Sequence, residues 1–217
     1  MVENAIGGII LTAQTFNPSI FTETWMARNN VVKPESLVGP RICSPEVAQF
    51  QTNDIQVMVV PPKMQILFPM QGVSDAFDLP RKIAVRTVEL LPHTPYQALG
   101  FNFEYFVAQP AGQDFNAYDR ALLGTGDCRL LREFSLSDAR FGRYFSKNYE
   151  EGRLRLDIKP VKAGPENKEF LQFSFNFHFA VAQLEQPERV KQLLRLIEKW
   201  GSIQKYAETV VETGSSL

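Results

Sequence analysis

The chain has 217 residues, 44% hydrophobic, 12% aromatic and 22% charged, with a formal net charge of −1; that balance suits a soluble domain with a real core. Near-neutrality argues against capture of the whole molecule by nucleic acid or an anionic membrane, leaving local patches for such roles. Cys43 and Cys128 are too few for a disulfide framework, and no apolar run approaches the length of a membrane span.

Gly7-Gly8-Ile9-Ile10-Leu11 is short and has Glu3 ahead of it, unlike a signal peptide, so a reducing cytoplasm is expected. Residues 6–14 read as a buried strand. Asn17 and Pro18 suit a helix start, with the side-chain acceptor at the cap and proline in the first turn. Ile20, Phe21, Trp25 and Met26 form its stripe and Asn29-Asn30 its end. Residues 31–40 read as loop and 41–52 as a strand. Asn53-Asp54 is a tight turn, and alternation over 55–60 and 64–68 flanks Pro61-Pro62. Asp78 is read as the cap of a helix that runs to Leu91, closed by Pro92 and Pro95.

The pattern then begins again. Residues 98–109 read as a strand and 115–123 as a helix ending at Gly124 and Gly126. Residues 130–149 read as one or two strands kinked near Gly142, followed by strands over 153–160 and 170–179. A long helix from Pro187 to about Val211 carries Val190, Leu193, Leu194, Ile197 and Tyr206 at helical spacing, with Gly201 as the point of any bend.

The aromatic strand is the strongest signal. Leu171, Phe173, Phe175, Phe177 and Phe179 alternate with Gln172, Ser174, Asn176 and His178, so one face is buried and one polar. Phe101–Gln109 (FNFEYFVAQ) and Phe175–Gln183 (FNFHFAVAQ) agree at six of nine positions. Leu-Thr-Ala-Gln at 11–14 before Phe16-Asn17 similarly parallels Phe-Val-Ala-Gln at 106–109 before Phe115-Asn116. The expectation is one α+β domain over 1–217. It is a two-layer sandwich of two similar halves, about 1–96 and 97–212, with a pseudo-two-fold curved antiparallel sheet covered on one face by helices.

The order strand, helix, hairpin, helix, and then Ala-Leu-Gly-Phe-Asn-Phe-Glu-Tyr at 98–105, resembles an uncharacterised, sporadically distributed family of bacterial proteins over residues 7–106. That resemblance implies a bacterial or phage origin and carries no activity.

Catalytic motifs are scarce. No nucleophile elbow, phosphate loop or His-Glu-x-x-His is present. His93 reads as an exposed loop residue, Gly124-Thr125-Gly126 as a helix end, and Asp75 with Asp78 as capping rather than a cation pair. Cys43 and Cys128 read as buried or incidental thiols. No metal and no cofactor is expected.

The polar sheet face is more informative. Opposite the aromatic row lie Asn102, Glu104 and Phe106, then Gln172, Ser174, Asn176 and His178, then Arg153, Arg155, Asp157 and Lys159. Asn102, Glu104, Asn176, His178, Arg153 and Arg155 are the candidate binding residues. The same face of the first half carries Gln56, Met58, Val60, Gln65 and Leu67, and Met58, Val60 and Leu67 are the candidate interface. Residues 129–162 hold nine Lys or Arg against five acids, interleaved with aromatics, a composition found in nucleic-acid contacts and also in charge-guarded edge hairpins.

Three readings follow. The first is a non-catalytic protein-interaction or scaffold subunit, homodimeric or bound to a protein partner, with no membrane role. The alternative is a nucleic-acid-binding protein using the hairpin at 129–162. The third makes His178 a base oriented by Glu104, which requires neighbouring strands and hydrogen-bond reach in an exposed setting that leaves the imidazole at its ordinary pKa.

Overall fold

Alternating side chains build most of the structure, a computed structural model that describes residues 2–70, 77–125, 139–164 and 166–215. Nine strands form one sheet: β1 (Val2–Ala13), β2 (Val38–Cys43), β3 (Ala48–Gln51), β4 (Gln56–Val60), β5 (Lys63–Pro69), β6 (Tyr96–Val107), β7 (Arg143–Tyr149), β8 (Gly152–Ala163) and β9 (Lys168–Ala180). Their spatial order is β2-β3-β4-β5-β1-β6-β9-β8-β7, and every neighbouring pair is antiparallel. The helices are α1 (Glu23–Arg28), α2 (Asp78–Leu90), α3 (Phe115–Leu123), α4 (Gln186–Ile197) and α5 (Trp200–Gly214). The class is therefore α+β with C-terminal helices, and no described helix is long and apolar enough to cross a membrane.

One face of the sheet makes the core. Ile9, Leu11, Ile66, Phe101, Phe103, Phe173, Phe175 and Phe177 pack in one buried cluster with Ile83 and Val88 of α2, Leu193 and Leu196 of α4, and Ile203, Ala207 and Val211 of α5. Trp200 stands at the centre. Its ring lies 4.7 Å from Phe77, stacked at 9°, and 5.1, 5.2 and 4.6 Å from Phe68, Phe101 and Phe103. Aromatic contacts of this kind add to the burial of large apolar area.

The two Phe-Asn-Phe words lie side by side. Phe101 pairs with Phe177, Asn102 with Asn176 and Phe103 with Phe175, across β6 and β9. Their likeness serves an antiparallel aromatic ladder within one half of the chain, since both strands fall after residue 96.

Several expected elements differ. The early helix is two pieces: a 3-10 turn, Pro18–Ile20, capped by the Asn17 side chain, and then α1, capped by Thr22. Thr22 competes as a second cap acceptor and divides the stripe. Residues 31–40 include a 3-10 turn, Pro34–Ser36, and the start of β2. Residues 41–52 form a hairpin, β2 and β3, whose turn is held by Ser44 Oγ accepting from the Glu46 and Val47 N–H groups. Asp78 occupies the first helical position of α2, with Phe77 at the cap. The C-terminal helix is broken at Glu198 and Lys199, just before the glycine where a bend was expected. Cys128, Asp75, Gly126 and residues 130–138 of the expected 130–149 strands lie outside the described residues.

Candidate functional site: the uncovered sheet face

The face opposite the core carries no described helix, and its side chains line up in rows fixed by the strand register. The first row runs from Ile42 through Gln49, Met58, Gln65, Ile10, Gly100 and His178 to Arg153 and Asn148. The second runs from Gln56 through Leu67, Gly8, Asn102 and Asn176 to Arg155 and Ser146. The third runs from Pro69 through Ile6, Glu104, Ser174 and Asp157 to Tyr144. All nine candidate residues therefore share this surface, with Val60 beside Lys63 at the margin.

Its two ends differ in chemistry. Across β3, β4, β5 and residues 6–12 of β1 the outward residues are Gln49, Gln51, Gln56, Met58, Val60, Lys63, Gln65, Leu67, Pro69, Ile6, Gly8, Ile10 and Thr12, and Lys63 alone among them is charged. Glu3 at the start of β1 lies beside Ile6 and Phe106 and pairs with Lys168. Met58, Val60, Leu67, Ile6 and Ile10 are half-buried by their neighbours. Gly8 and Gly100 keep the middle of the face low: a Cβ at Gly8 would come within 3.1 Å of Leu67 and one at Gly100 within 3.6 Å of Ile10.

The other end is polar. Asn176 Nδ2 donates to Asn102 Oδ1 at 2.8 Å. Around this pair, Glu104, Tyr144, Arg155 and Asp157 line a shallow depression of about 220 Å³. Arg153 is held by Ser146 Oγ (2.8 Å) and Asn148 Oδ1 (2.9 Å), and Lys159 pairs with Asp157 at 3.0 Å. Of the other described basic residues in 129–162, Arg140 pairs with Glu169, Arg143 donates to Leu123 O and Thr125 O, and Lys147 lies 5.1 Å over the Tyr206 ring. Five of the seven described basic residues of 129–162 thus contact other groups of the fold, and of these Arg140 and Lys159 have acidic partners.

The proposed His178–Glu104 dyad does not form. The residues do sit on adjacent strands and the same face, as required, but His178 pairs with Gly100 and Glu104 with Ser174. Four residues along a strand is roughly 13 Å, far beyond a water-bridged hydrogen bond. The imidazole also departs from its expected ordinary value: desolvation lowers the His178 pKa, with the Arg155 charge adding to the effect. His93 is exposed, and Cys43 is exposed, its thiol 3.8 Å from Pro18 O. Among the described residues no group of three His, Cys, Asp or Glu converges as a metal site would.

Sequence reasoning missed Ile6, Ile10, Tyr144 and Trp200 as members of surface or core. The run Ile9-Ile10-Leu11 hides its own alternation, so period two gives no face to β1. Tyr144 could have been placed by counting from the turn at Glu150-Glu151-Gly152, which sets the β7–β8 register. Comparison of the chain with models of known protein families and with curated proteins returns no match.

Proposed function

We propose that this chain is a non-catalytic interaction subunit that associates through its uncovered sheet face, in the first instance with a second copy of itself. The single observation that carries this reading is the charge-poor half of that face. Outward residues of an ordinary solvated sheet are rich in Lys, Glu and Arg, whereas here four glutamines and half-buried Met58, Val60, Leu67, Ile6 and Ile10 surround one lysine. Depletion of charge is the compositional mark of an interface centre, and an apolar patch on a sheet face marks association. Gly8 and Gly100 suit close approach of a second backbone.

The same reading takes the fold as a two-layer sandwich of two pseudo-symmetric halves. Its support is the strand order: outward from the central β1–β6 pair, β5, β4 and β3 on one side match β9, β8 and β7 on the other. We place the protein in the cytoplasm of a bacterium or in a phage assembly, in line with the exposed thiol of Cys43 and the family it resembles.

Methionine oxidation tests the reading locally. Peroxide should oxidise Met58 more slowly in concentrated than in dilute solution, while fully buried Met64, one strand away on the core face, stays slow in both. Equal Met58 rates at both concentrations would sink the proposal.

A further inference from the structure

The two edges of the sheet are built differently. β2 is blunted: it contains Pro40, Gly39 has a φ of +68°, and its pairing with β3 shifts register between Val38 and Ile42. Such features keep an edge from recruiting another strand. β7 has none of them. Its seven residues pair with β8 in unbroken register, it holds neither proline nor glycine, and no described strand lies on its far side. Tyr144 and Phe145 are 63% and 48% exposed.

The side chains of β7 select what such a strand would be. Arg143, Phe145 and Lys147 lie opposite Ile158, Leu156 and Leu154, on the core face. There they rim a cavity of about 570 Å³ walled by Leu123, Leu154, Leu156, Phe173, Tyr206 and Val210. Arg143 donates to the Leu123 and Thr125 carbonyls and Lys147 lies against the Tyr206 ring, so neither has an acidic partner among the described residues. The edge therefore presents cation, aromatic, cation on alternate residues beside an apolar hollow.

We propose that β7 is a strand-addition site for an extended segment of a partner protein with the pattern acid-x-apolar-x-acid. Residues two apart on an added strand point to one face, so the two acids meet Arg143 and Lys147 while the apolar side chain between them enters the cavity. The backbone of the segment pairs with the N–H and C=O groups of β7 that face away from β8, which no described strand engages, and the alternate side chains give the selectivity. β7 sends Tyr144, Ser146 and Asn148 to the uncovered face, but its outer edge and its core-side residues lie at the opposite end of the sheet from the charge-poor half, so either proposal stands if the other fails.

The test is fluorescence anisotropy with a fluorescein-labelled peptide Thr-Glu-Thr-Leu-Thr-Glu-Thr and the full chain. Saturable binding is expected. Replacing the central leucine by alanine should weaken it by about tenfold or more, and replacing both glutamates by lysine by about threefold to tenfold. Lys147→Glu, an exposed change that circular dichroism can show to be folded, should weaken the glutamate peptide and improve the lysine peptide. A purely structural role for Lys147 would not produce that exchange. The proposal is overturned by absence of saturable binding, or by an unchanged preference in Lys147→Glu. It is also overturned if Phe145→Arg lowers the mass of a self-associated chain, because a second copy would then occupy the edge.

Discussion

Asp119 is 0% exposed on α3, and its two oxygens fare differently. Oδ2 accepts from the Phe141 N–H at 2.9 Å, while Oδ1 has no hydrogen-bond partner among the described residues. Burial pushes its pKa up, against the opposing pull of the Phe141 hydrogen bond and of Arg140 and Arg120. A carboxyl with a raised native pKa favours the folded state where it holds its proton. Its contribution is lost as pH rises from the ordinary aspartate range through the raised value. Asp119→Ala strands the Phe141 N–H and is expected to cost about 1–3 kcal/mol. Asp119→Asn keeps an acceptor, should cost less, and should flatten the pH dependence in that window. Urea unfolding at several pH values reads both, and an alanine variant as stable as the parent contradicts the assignment. Residues on strands were the legible ones: alternation placed Asn102, Glu104, Asn176, His178, Arg153 and Arg155 on one face correctly. It could not give the distance along β9 that separates His178 from Glu104, because that depends on register, which side-chain pattern alone leaves open.

At the scale of elements, hairpins with strong turn residues were readable and helix interruptions were not. The break between α4 and α5 shows why. Lys199 reaches Glu150 at 2.5 Å and Glu151 at 3.1 Å across the β7–β8 turn, and Arg195 bonds Glu151 as well. The Glu151 pKa is lowered in spite of its desolvation, because Arg195 and Lys199 donate hydrogen bonds to the carboxylate. These partners are distant in sequence, so local spacing shows a continuous helix, while the tertiary clamp and the docking of Trp200 on the aromatic row favour a turn. Gly201 then lies within α5, with nothing within 4 Å of where its Cβ would be. If the clamp and the tryptophan make the break, Gly201→Ala should be stabilising by roughly 0.5–1 kcal/mol. Thermal unfolding decides, and a lowered midpoint would return the break to the glycine.

For the molecule as a whole, the class was legible because period two dominates the strands and one side of that pattern is heavily aromatic. One antiparallel sheet was expected and is present, but its central pairing was less legible: β1 and β6 pair over most of their lengths, yet β1 reads only as a short buried strand. The same opacity hid Ile6 and Ile10, which complete the charge-poor half of the uncovered face around Met58 and Leu67. That face is the centre of the functional account, and the mass of the chain in solution tests it most directly. Sedimentation equilibrium over a concentration series should give a mass rising above the 24.6 kDa of one copy, with Leu67→Asp returning it to that value while the circular dichroism spectrum stays unchanged. A parent chain that remains at 24.6 kDa at every concentration, or a Leu67→Asp variant that assembles as the parent does, would contradict it.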